Sequence, residues 1–525
     1  MRVLIKEKIA EAGIDFLRER FDVDVDLDGD LGAQIGDYDA IIVRSGTQLT
    51  AEILERAERL KVIGRAGVGV DNVDLAAASR QGILVANAPE STIVSAAEHT
   101  LGLLLALSRS IPQAHAALKE GRWERSRFAG HELAGKTLGL VGFGRIGRQV
   151  ARLARGLSLR VLAFDPYVSA ERFSELGVER VESLTELLGT ADFVSLHLTL
   201  TDETHGLIGR GELAAAKDGI RIINAARGEL VDEEALVEAL QSGKVAGAAL
   251  DVFSEEPYTG PLLGLDNVVV TPHLAASTQE AQDRAGVIVA EQVAAALEGR
   301  VVTNAVNVPA VAAEEVGFLG PFLPLSAKLG ALAVELAGGS PTRLDFAYLG
   351  ELADHDTRLL TVAALEGAFQ GRVEQPVNYV NAPLLAAERG IEVREERRRA
   401  SRDFTSLVRV TAVSGEDEVV VAGTTLGHED EPRLVRALGY QIEIDLEPLM
   451  LFVVNDDRPG MIGRLGTLLG EAGVNIANMA VSRNRQSDQA LMALTVDSVP
   501  TPELLGALHS EPGFADVRFI DLRRV

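Results

Sequence analysis

The stretch Thr137-Leu-Gly-Leu-Val-Gly-Phe-Gly-Arg-Ile-Gly147 constrains this chain more than any other. Its first five residues form an apolar run with the composition of a buried parallel strand. Gly142, Gly144 and Gly147 follow at the spacing G-x-G-x-x-G, and the residues from Arg148 onwards continue at helical period. Such a strand–turn–helix unit suits a dinucleotide. Gly142 permits the tight turn, Gly144 lets backbone approach the pyrophosphate, and Gly147 lets helix and strand pack closely. Free N–H groups at the helix start, around Arg145 and Ile146, face the phosphates. A second strand, Leu159 to Phe164, ends in Asp165, whose carboxylate can accept from both hydroxyls of an adenosine ribose. Pro166 and Tyr167 come next, with no arginine to receive a 2′-phosphate, so the pattern favours NAD over NADP.

Before the motif, short apolar runs alternate with longer amphipathic ones. Val3 to Ile5, Ala40 to Val43, Val62 to Gly64 and Ile83 to Val85 read as strands. Glu7 to Phe21, Ala51 to Ala57 and Leu75 to Gln81 read as helices between them, which implies a parallel sheet. Ser91 to Leu107 is a long apolar helix holding Glu98 and His99. After the motif, Asp192 to Leu196, Ile220 to Ile223, Val245 to Leu250 and Asn267 to Val270 bring that sheet to six strands. Ser277-Thr-Gln-Glu280 reads as a capping box opening a helix to about Leu297, and Asn304 to Pro309 as an extended linker. Beyond it, residues from about 310 to 440 mix helix and strand patterns. Their cluster Arg394, Arg397, Arg398, Arg399 and Arg402 reads as a solvated surface, with an anion site as the alternative. From Leu449 the order strand, helix, strand, strand, helix, strand is that of a ferredoxin-like domain.

Composition narrows the chemistry. There is no cysteine, which excludes disulfides, thiolate metal sites and a cysteine nucleophile, and no metal site is expected. The net charge of −26 opposes affinity for a phosphate backbone, so nucleic acid is not an expected partner. The charged start Met1-Arg-Val-Leu-Ile-Lys-Glu7 argues against a secretory leader, and no long uncharged apolar run suggests a membrane span. The chain reads as cytoplasmic.

A bound NAD implies hydride transfer, which requires an acid/base and a substrate clamp from the protein. Arg227, Glu256 and His273 each lie just past the end of a predicted strand, at the edge where such sheets hold ligands. A guanidinium suits bidentate contact with a carboxylate, and a histidine beside a carboxylate suits proton transfer from an alcohol. Ala225 and Asp251, at two of the same strand ends, complete the set facing the cofactor.

The series Val141-Gly-Phe-Gly-Arg-Ile-Gly147, Asn224-Ala-Ala-Arg-Gly228, Asp251-Val-Phe-Ser-Glu-Glu-Pro257 and Thr271-Pro-His-Leu274 closely resembles the D-isomer-specific 2-hydroxyacid dehydrogenases. The resemblance implies that Arg227 binds substrate, Glu256 orients and charges His273, and His273 is the acid/base. It implies a Rossmann-type NAD domain, residues 99–282, inserted in a flavodoxin-like substrate domain, residues 1–98 and 283–308. Val43-Arg-Ser45 and Gly64-Arg-Ala-Gly-Val-Gly-Val-Asp-Asn72 are similar to the substrate-side motifs of members that oxidise D-3-phosphoglycerate. They imply Arg44 and Arg65 at the substrate. Such members carry an α+β intervening domain, here residues 309–446, and a regulatory ACT domain, here residues 447–525. The resemblance further implies a homotetramer with L-serine bound between ACT domains near Asp457 and Asn475. Asn455 stands where relatives often have a larger His or Tyr, which points to weaker serine binding. Two other readings are a glyoxylate or hydroxypyruvate reductase of the same family and a non-enzymatic NAD-sensing corepressor.

Overall fold

The computed structural model describes residues 1–312, 314–401, 403–427, 430–483 and 488–525. The N-terminal strands β1 (Arg2–Ile5), β2 (Asp22–Val25), β3 (Ala40–Val43), β4 (Val62–Arg65) and β5 (Leu84–Asn87) form one parallel sheet in the order β2-β1-β3-β4-β5. That is the flavodoxin-like order. β1, β3 and β4 are short apolar runs because helices cover both their faces. β2 was not anticipated: Asp22-Val-Asp-Val25 lies at the sheet edge, half in water, and has no apolar run to betray it.

The nucleotide-type sheet comprises β6 (Thr137–Val141), β7 (Arg160–Phe164), β8 (Glu179–Arg180), β9 (Phe193–Leu196), β10 (Ile220–Asn224), β11 (Val245–Leu250) and β12 (Val268–Val270). All are parallel, in the order β12-β11-β10-β9-β6-β7-β8. There are seven strands rather than the six expected, because β8 is a two-residue exposed edge.

The long helix Gln279–Leu297 then returns to the first sheet. Val289 and Val293 enter the core of Val3, Ile5, Ile42 and Val62. Close approach depends on glycines: a Cβ on Gly64 would lie 2.7 Å from Val293, and one on Gly13 2.6 Å from the carbonyl oxygen of Gly286. Thr278, not Ser277, caps this helix, its hydroxyl accepting from the N–H of Ala281 at 3.2 Å. Residues after the helix lie along β5, where the N–H of Val306 donates to Val85 O and Asn307 Oδ1 accepts from Val85.

The next unit is a six-stranded sheet of β13 (Arg343–Gly350), β14 (Glu392–Arg398), β15 (Ser406–Ser414), β16 (Asp417–Leu426), β17 (Glu431–Ala437) and β18 (Tyr440–Asp445), ordered β14-β13-β15-β16-β17-β18. Its covering helices Phe322–Leu336 and Arg358–Phe369 meet backbone to backbone. A Cβ on Gly330 or Gly367 would fall 1.9 Å from the carbonyl oxygen of Ala364 or Ala327. The segment Val316–Leu336 is apolar enough to match a membrane span by composition, yet most of it is core of this unit. The last unit has β19 (Leu449–Asp456), β20 (Ile476–Arg483), β21 (Gln489–Val496) and β22 (Phe514–Asp521) in the antiparallel order β20-β21-β19-β22, with helices Met461–Glu471 and Pro502–Ser510 on one face. The other face carries Met450, Phe452, Leu491 and Ile520 into the core of the six-stranded unit.

Glu366 is tucked into that middle unit, and burial pushes its carboxyl up to about 7. An unfolded chain ionises this group near its ordinary value of about 4.3. The unfolded state therefore holds fewer protons than the native state between those values, and stability falls as pH rises through about 7. We expect Glu366→Gln to raise the calorimetric melting temperature of this unit by several degrees at pH 8 and to leave it unchanged at pH 4.5. Equal shifts at both pH values would contradict the assignment.

Candidate active site

The glycine loop has the geometry that the motif requires. Gly142 has φ of 94°, and a Cβ there would strike the carbonyl oxygen of His197 at 2.4 Å. A Cβ on Gly147 would lie 2.3 Å from the carbonyl oxygen of Gly142, so helix and strand touch through backbone. Gly144 differs: nothing lies within 4 Å of its Cβ position. It caps the helix Arg145–Gly156 beside open space, the cradle that a pyrophosphate would fill. Asp165 Oδ2 accepts from the N–H of Phe143 at 2.8 Å and Oδ1 from Tyr167 at 2.9 Å. Its carboxylate is therefore held against the loop at the end of β7. Ile146 packs into the core beneath the motif, and Arg145 pairs with Glu90 of the first unit at 3.4 Å. Under the loop, burial pushes the His197 imidazole down to about 4, so it stays neutral beside Ser195 at 3.0 Å.

Three adjacent strands deliver the other groups. After β10, Asn224 Oδ1 accepts from Ala226 and its amide donates to Arg227 O at 2.7 Å, a turn that fixes Ala225 and presents Arg227. After β11 comes Asp251, with no exposed surface. Its carboxylate accepts from the N–H of Leu274 and of Ala275, both at 2.8 Å, from the Thr271 hydroxyl at 2.5 Å, and faces His99 Nε2 at 3.1 Å. Burial works against its charge, but these donors outweigh burial and hold the carboxyl below the usual carboxylate range. Asp251 thus anchors the loop after β12 from a buried position. That loop carries His273, at the left-handed φ of 54°. His273 Nδ1 meets Glu256 Oε2 at 2.9 Å, and Glu256 Oε1 accepts from Phe253 at 3.2 Å.

The opposite wall comes from the first sheet. Arg65 ends β4 and is largely buried, its Nε without a partner. Burial lowers its affinity for protons, and Arg227 and Arg44 add to that while Asp71 and Glu7 oppose it. Arg227 Nη2 reaches across to Asp71 Oδ2 at 3.4 Å. The Arg44 loop is clamped from both sides. Glu7 accepts from the N–H groups of Arg44 and Thr47, and Asn72 donates to their carbonyls at 2.7 and 2.6 Å. Arg44, Arg65 and Arg227 so share one neighbourhood. The Arg227–Gly228 segment is packed on Phe253 and Ser254, where a Cβ on Gly228 would lie 1.9 Å from Phe253 C. A cavity of about 510 Å³ adjoins, lined by Phe253, Glu256, Pro257, Tyr258, Pro272 and His273. Sequence reading missed Glu7, Asp71 and His197, and passed over His99 and Asn72. His99 could have been flagged as an imidazole among the buried residues of a long apolar helix.

In the last unit the residues expected near an effector take separate places. Asp457 is exposed and meets Arg483 Nε at 3.2 Å, while Asn475 donates to Asp497 Oδ2 at 2.7 Å. Asn455 is buried, its amide donating to Asp456 O and its Oδ1 without a partner. Of the basic cluster, Arg394, Arg398 and Arg399 pair with Glu392, Glu396 and Asp354, as a solvated surface would; Arg402 lies outside the described residues.

A glycine-lined dinucleotide cradle, a histidine–carboxylate pair and a cluster of guanidiniums define a dinucleotide-dependent oxidoreductase. Comparison with known proteins specifies it. Residues 101–275 match the NAD-binding domain of D-isomer specific 2-hydroxyacid dehydrogenases. Residues 318–437 match the D-3-phosphoglycerate dehydrogenase intervening domain, and 449–513 the ACT domain. The chain is 42% identical over 530 residues to D-3-phosphoglycerate dehydrogenase of Archaeoglobus fulgidus, covering 99% of this chain and 100% of the relative. It is 45% identical over 527 residues to that of Mycobacterium tuberculosis, covering 99% of each. Among solved structures, a Thermus thermophilus protein superposes with a TM-score of 0.54 at 39% identity, covering 58% of this chain and 100% of that one. D-lactate dehydrogenase from Aquifex aeolicus, complexed with NAD and lactic acid, gives 0.53 at 30% identity, covering 59% and 100%. The chain belongs to the D-isomer-specific 2-hydroxyacid dehydrogenases. It is an NAD-dependent oxidoreductase of that family, with an intervening and an ACT domain appended.

The open space at Gly144 separates folding from cofactor binding. Gly144→Val should leave the melting temperature of the ligand-free protein unchanged. It should weaken NAD, titrated by calorimetry, by about tenfold or more, the scale of a 1–3 kcal/mol overpacking penalty.

Proposed function

We propose that the chain oxidises D-3-phosphoglycerate to 3-phosphohydroxypyruvate, the first step of phosphorylated L-serine synthesis. The observation that carries this reading is the gathering of Arg44, Arg65 and Arg227, three permanent cations from two sheets, beside the loop that positions Glu256 and His273. One guanidinium suffices for a carboxylate; a phosphorylated acid brings two more negative charges and uses the others. NAD, when bound, supplies the hydride acceptor. His273 donates from Nδ1 to Glu256, which leaves Nε2 free to take the proton of the substrate hydroxyl as its carbon gives up hydride. Glu256 opposes the positive charge that His273 then carries. Arg227 holds the carboxylate next to the reacting carbon, and Arg44 and Arg65 hold the phosphate. Gly142, Gly144, Arg145, Ile146, Gly147, Asp165 and Ala225 line the cofactor side. Asp251 acts behind them through the loop it anchors.

The same reading assigns residues 1–98 with 283–308 to substrate, 99–282 to NAD, 309–446 to the intervening domain and 447–525 to regulation. It places the enzyme in the cytoplasm as a homotetramer, with L-serine held between paired ACT domains by Asp457 and Asn475. Arg483 already occupies Asp457, so the ammonium group of serine competes with it. A serine bound there alters activity only through unequal affinity for two subunit arrangements.

Phosphoglycerate should reduce NAD, read as NADH absorbance, far faster than unphosphorylated D-2-hydroxy acids; no preference would overturn the substrate assignment. His273→Ala should cost about two to four decades of kcat with NAD affinity retained. For Arg65→Ala, kcat/KM should drop for phosphoglycerate by the equivalent of about 1.5–3 kcal/mol, and much less for an unphosphorylated acid. Equal losses would move Arg65 to the carboxylate. Calorimetric titration with serine should show binding that Asp457→Ala weakens without changing the substrate KM. Absence of heat at millimolar serine would leave the ACT domain an assembly module.

A further inference from the structure

β14 ends its six-stranded sheet, and among the described residues no strand pairs with its outer edge. It runs in unbroken parallel register with β13, from Arg343 opposite Glu392 to Leu349 opposite Arg398. All of Glu392-Val-Arg-Glu-Glu-Arg-Arg398 except Glu396 is exposed. The N–H of Glu392 donates to Thr342 O at 3.0 Å, so residues 392, 394, 396 and 398 turn their backbone groups inward to β13. Val393, Glu395 and Arg397 therefore turn theirs outward, unpaired. Long exposed edges of this kind are templates for another strand.

The charges on this edge have a symmetry that the backbone can use. Glu392, Arg394, Glu396 and Arg398 share one face, where Arg394 pairs with Glu392 at 2.8 Å and Arg398 with Glu396 at 2.5 Å. Two copies laid antiparallel about an axis through Glu395 bring Glu392 opposite Arg398 and Arg394 opposite Glu396, twice over. The outward groups of Val393, Glu395 and Arg397 then exchange ladder hydrogen bonds with Arg397, Glu395 and Val393 of the second copy. The facing side chains come within about 5 Å at Cβ, where opposite charges attract and like charges repel. Moving the axis one residue towards the N-terminus sets Glu392 against Glu396 and Arg394 against itself. Moving it one residue the other way sets Arg394 against Arg398 and Glu396 against itself. The register centred on Glu395 is the one that sets all four of these charges against opposite ones. Glu395 on the axis turns to its own subunit, accepting from the hydroxyls of Thr357 at 2.8 Å and Thr361 at 2.6 Å.

We propose that β14 is a self-association edge, through which two copies of this chain join their six-stranded sheets into one continuous twelve-stranded sheet. The interface is independent of the chemistry in the nucleotide and substrate domains.

Sedimentation velocity of the full chain tests it, with NADH turnover as the check on folding. Arg394→Glu with Arg398→Glu makes the face wholly acidic, and Glu392→Arg with Glu396→Arg makes it wholly basic. Each double variant should sediment at half the mass of the parent assembly, and mixing the two should restore the parent mass. Val393→Pro removes an outward N–H without touching the ladder to β13 and should also halve the mass; it serves if a charge variant does not fold. If the acidic, basic and proline variants keep the parent mass, or if the mixture stays dissociated, the alternating charges merely guard the edge and the proposal is wrong.

Discussion

The buried carboxylate of Asp251 accepts four hydrogen bonds or close polar contacts from one helix and one loop, and the position of His273 follows from that. A non-glycine residue at φ of 54° is rarely stable alone. His273 holds that conformation because the N–H groups on either side of the turn end on Asp251: its own on the carbonyl, those of Leu274 and Ala275 on the side chain. The donors also balance a charge that burial would otherwise expel. With the turn fixed, Nδ1 is the ring nitrogen that reaches Glu256. His99 brings the helix Ile93–Arg109 to the same carboxylate. The passage between the two α/β units is thereby tied to the loop that carries His273.

The cleft is made of two sheets whose C-terminal edges face each other, and its electrostatics could not arise from either alone. Arg65 is largely buried with an unpaired Nε, an arrangement that costs stability unless an anion arrives. Arg227 comes from the other sheet and is held meanwhile by Asp71. Glu7 and Asn72 keep the Arg44 loop in one conformation. The site is therefore preorganised in its backbone and under-neutralised in its side chains. Such a cleft concentrates a multiply charged anion even though the protein as a whole is strongly acidic.

The sequence was legible where burial dictated it. The runs at β1, β3, β4 and β6 are apolar because both their faces are covered, and the glycine spacing of the nucleotide loop reflects contacts of 2.3 and 2.4 Å that no side chain could share. Arg227, Glu256 and His273 stand out in the sequence because strand ends are where such sheets bind ligands; the structure puts Glu256 and His273 in contact. What escaped was set by tertiary context. The edge strands β2 and β8 are polar and half solvated, so they carry no apolar run. Ser277 and Thr278 offer the same hydroxyl, and only backbone geometry selects the second as the cap. The acid at Asp251 reads from sequence like a ligand to the cofactor. Its hydrogen bonds, invisible in the chain, also make it the anchor of a loop.

The return of the helix Gln279–Leu297 to the first sheet has a consequence for how the molecule is made. Strands β1 to β5 leave the ribosome first, yet the face that Val289 and Val293 cover stays open until the chain is nearly three hundred residues long. Residues between them build a complete sheet with helices on both faces, and need nothing from either flank to close their core. Domains generally form as units during synthesis. The inserted nucleotide unit can therefore close its core before the N-terminal strands, which wait for the returning helix to complete theirs.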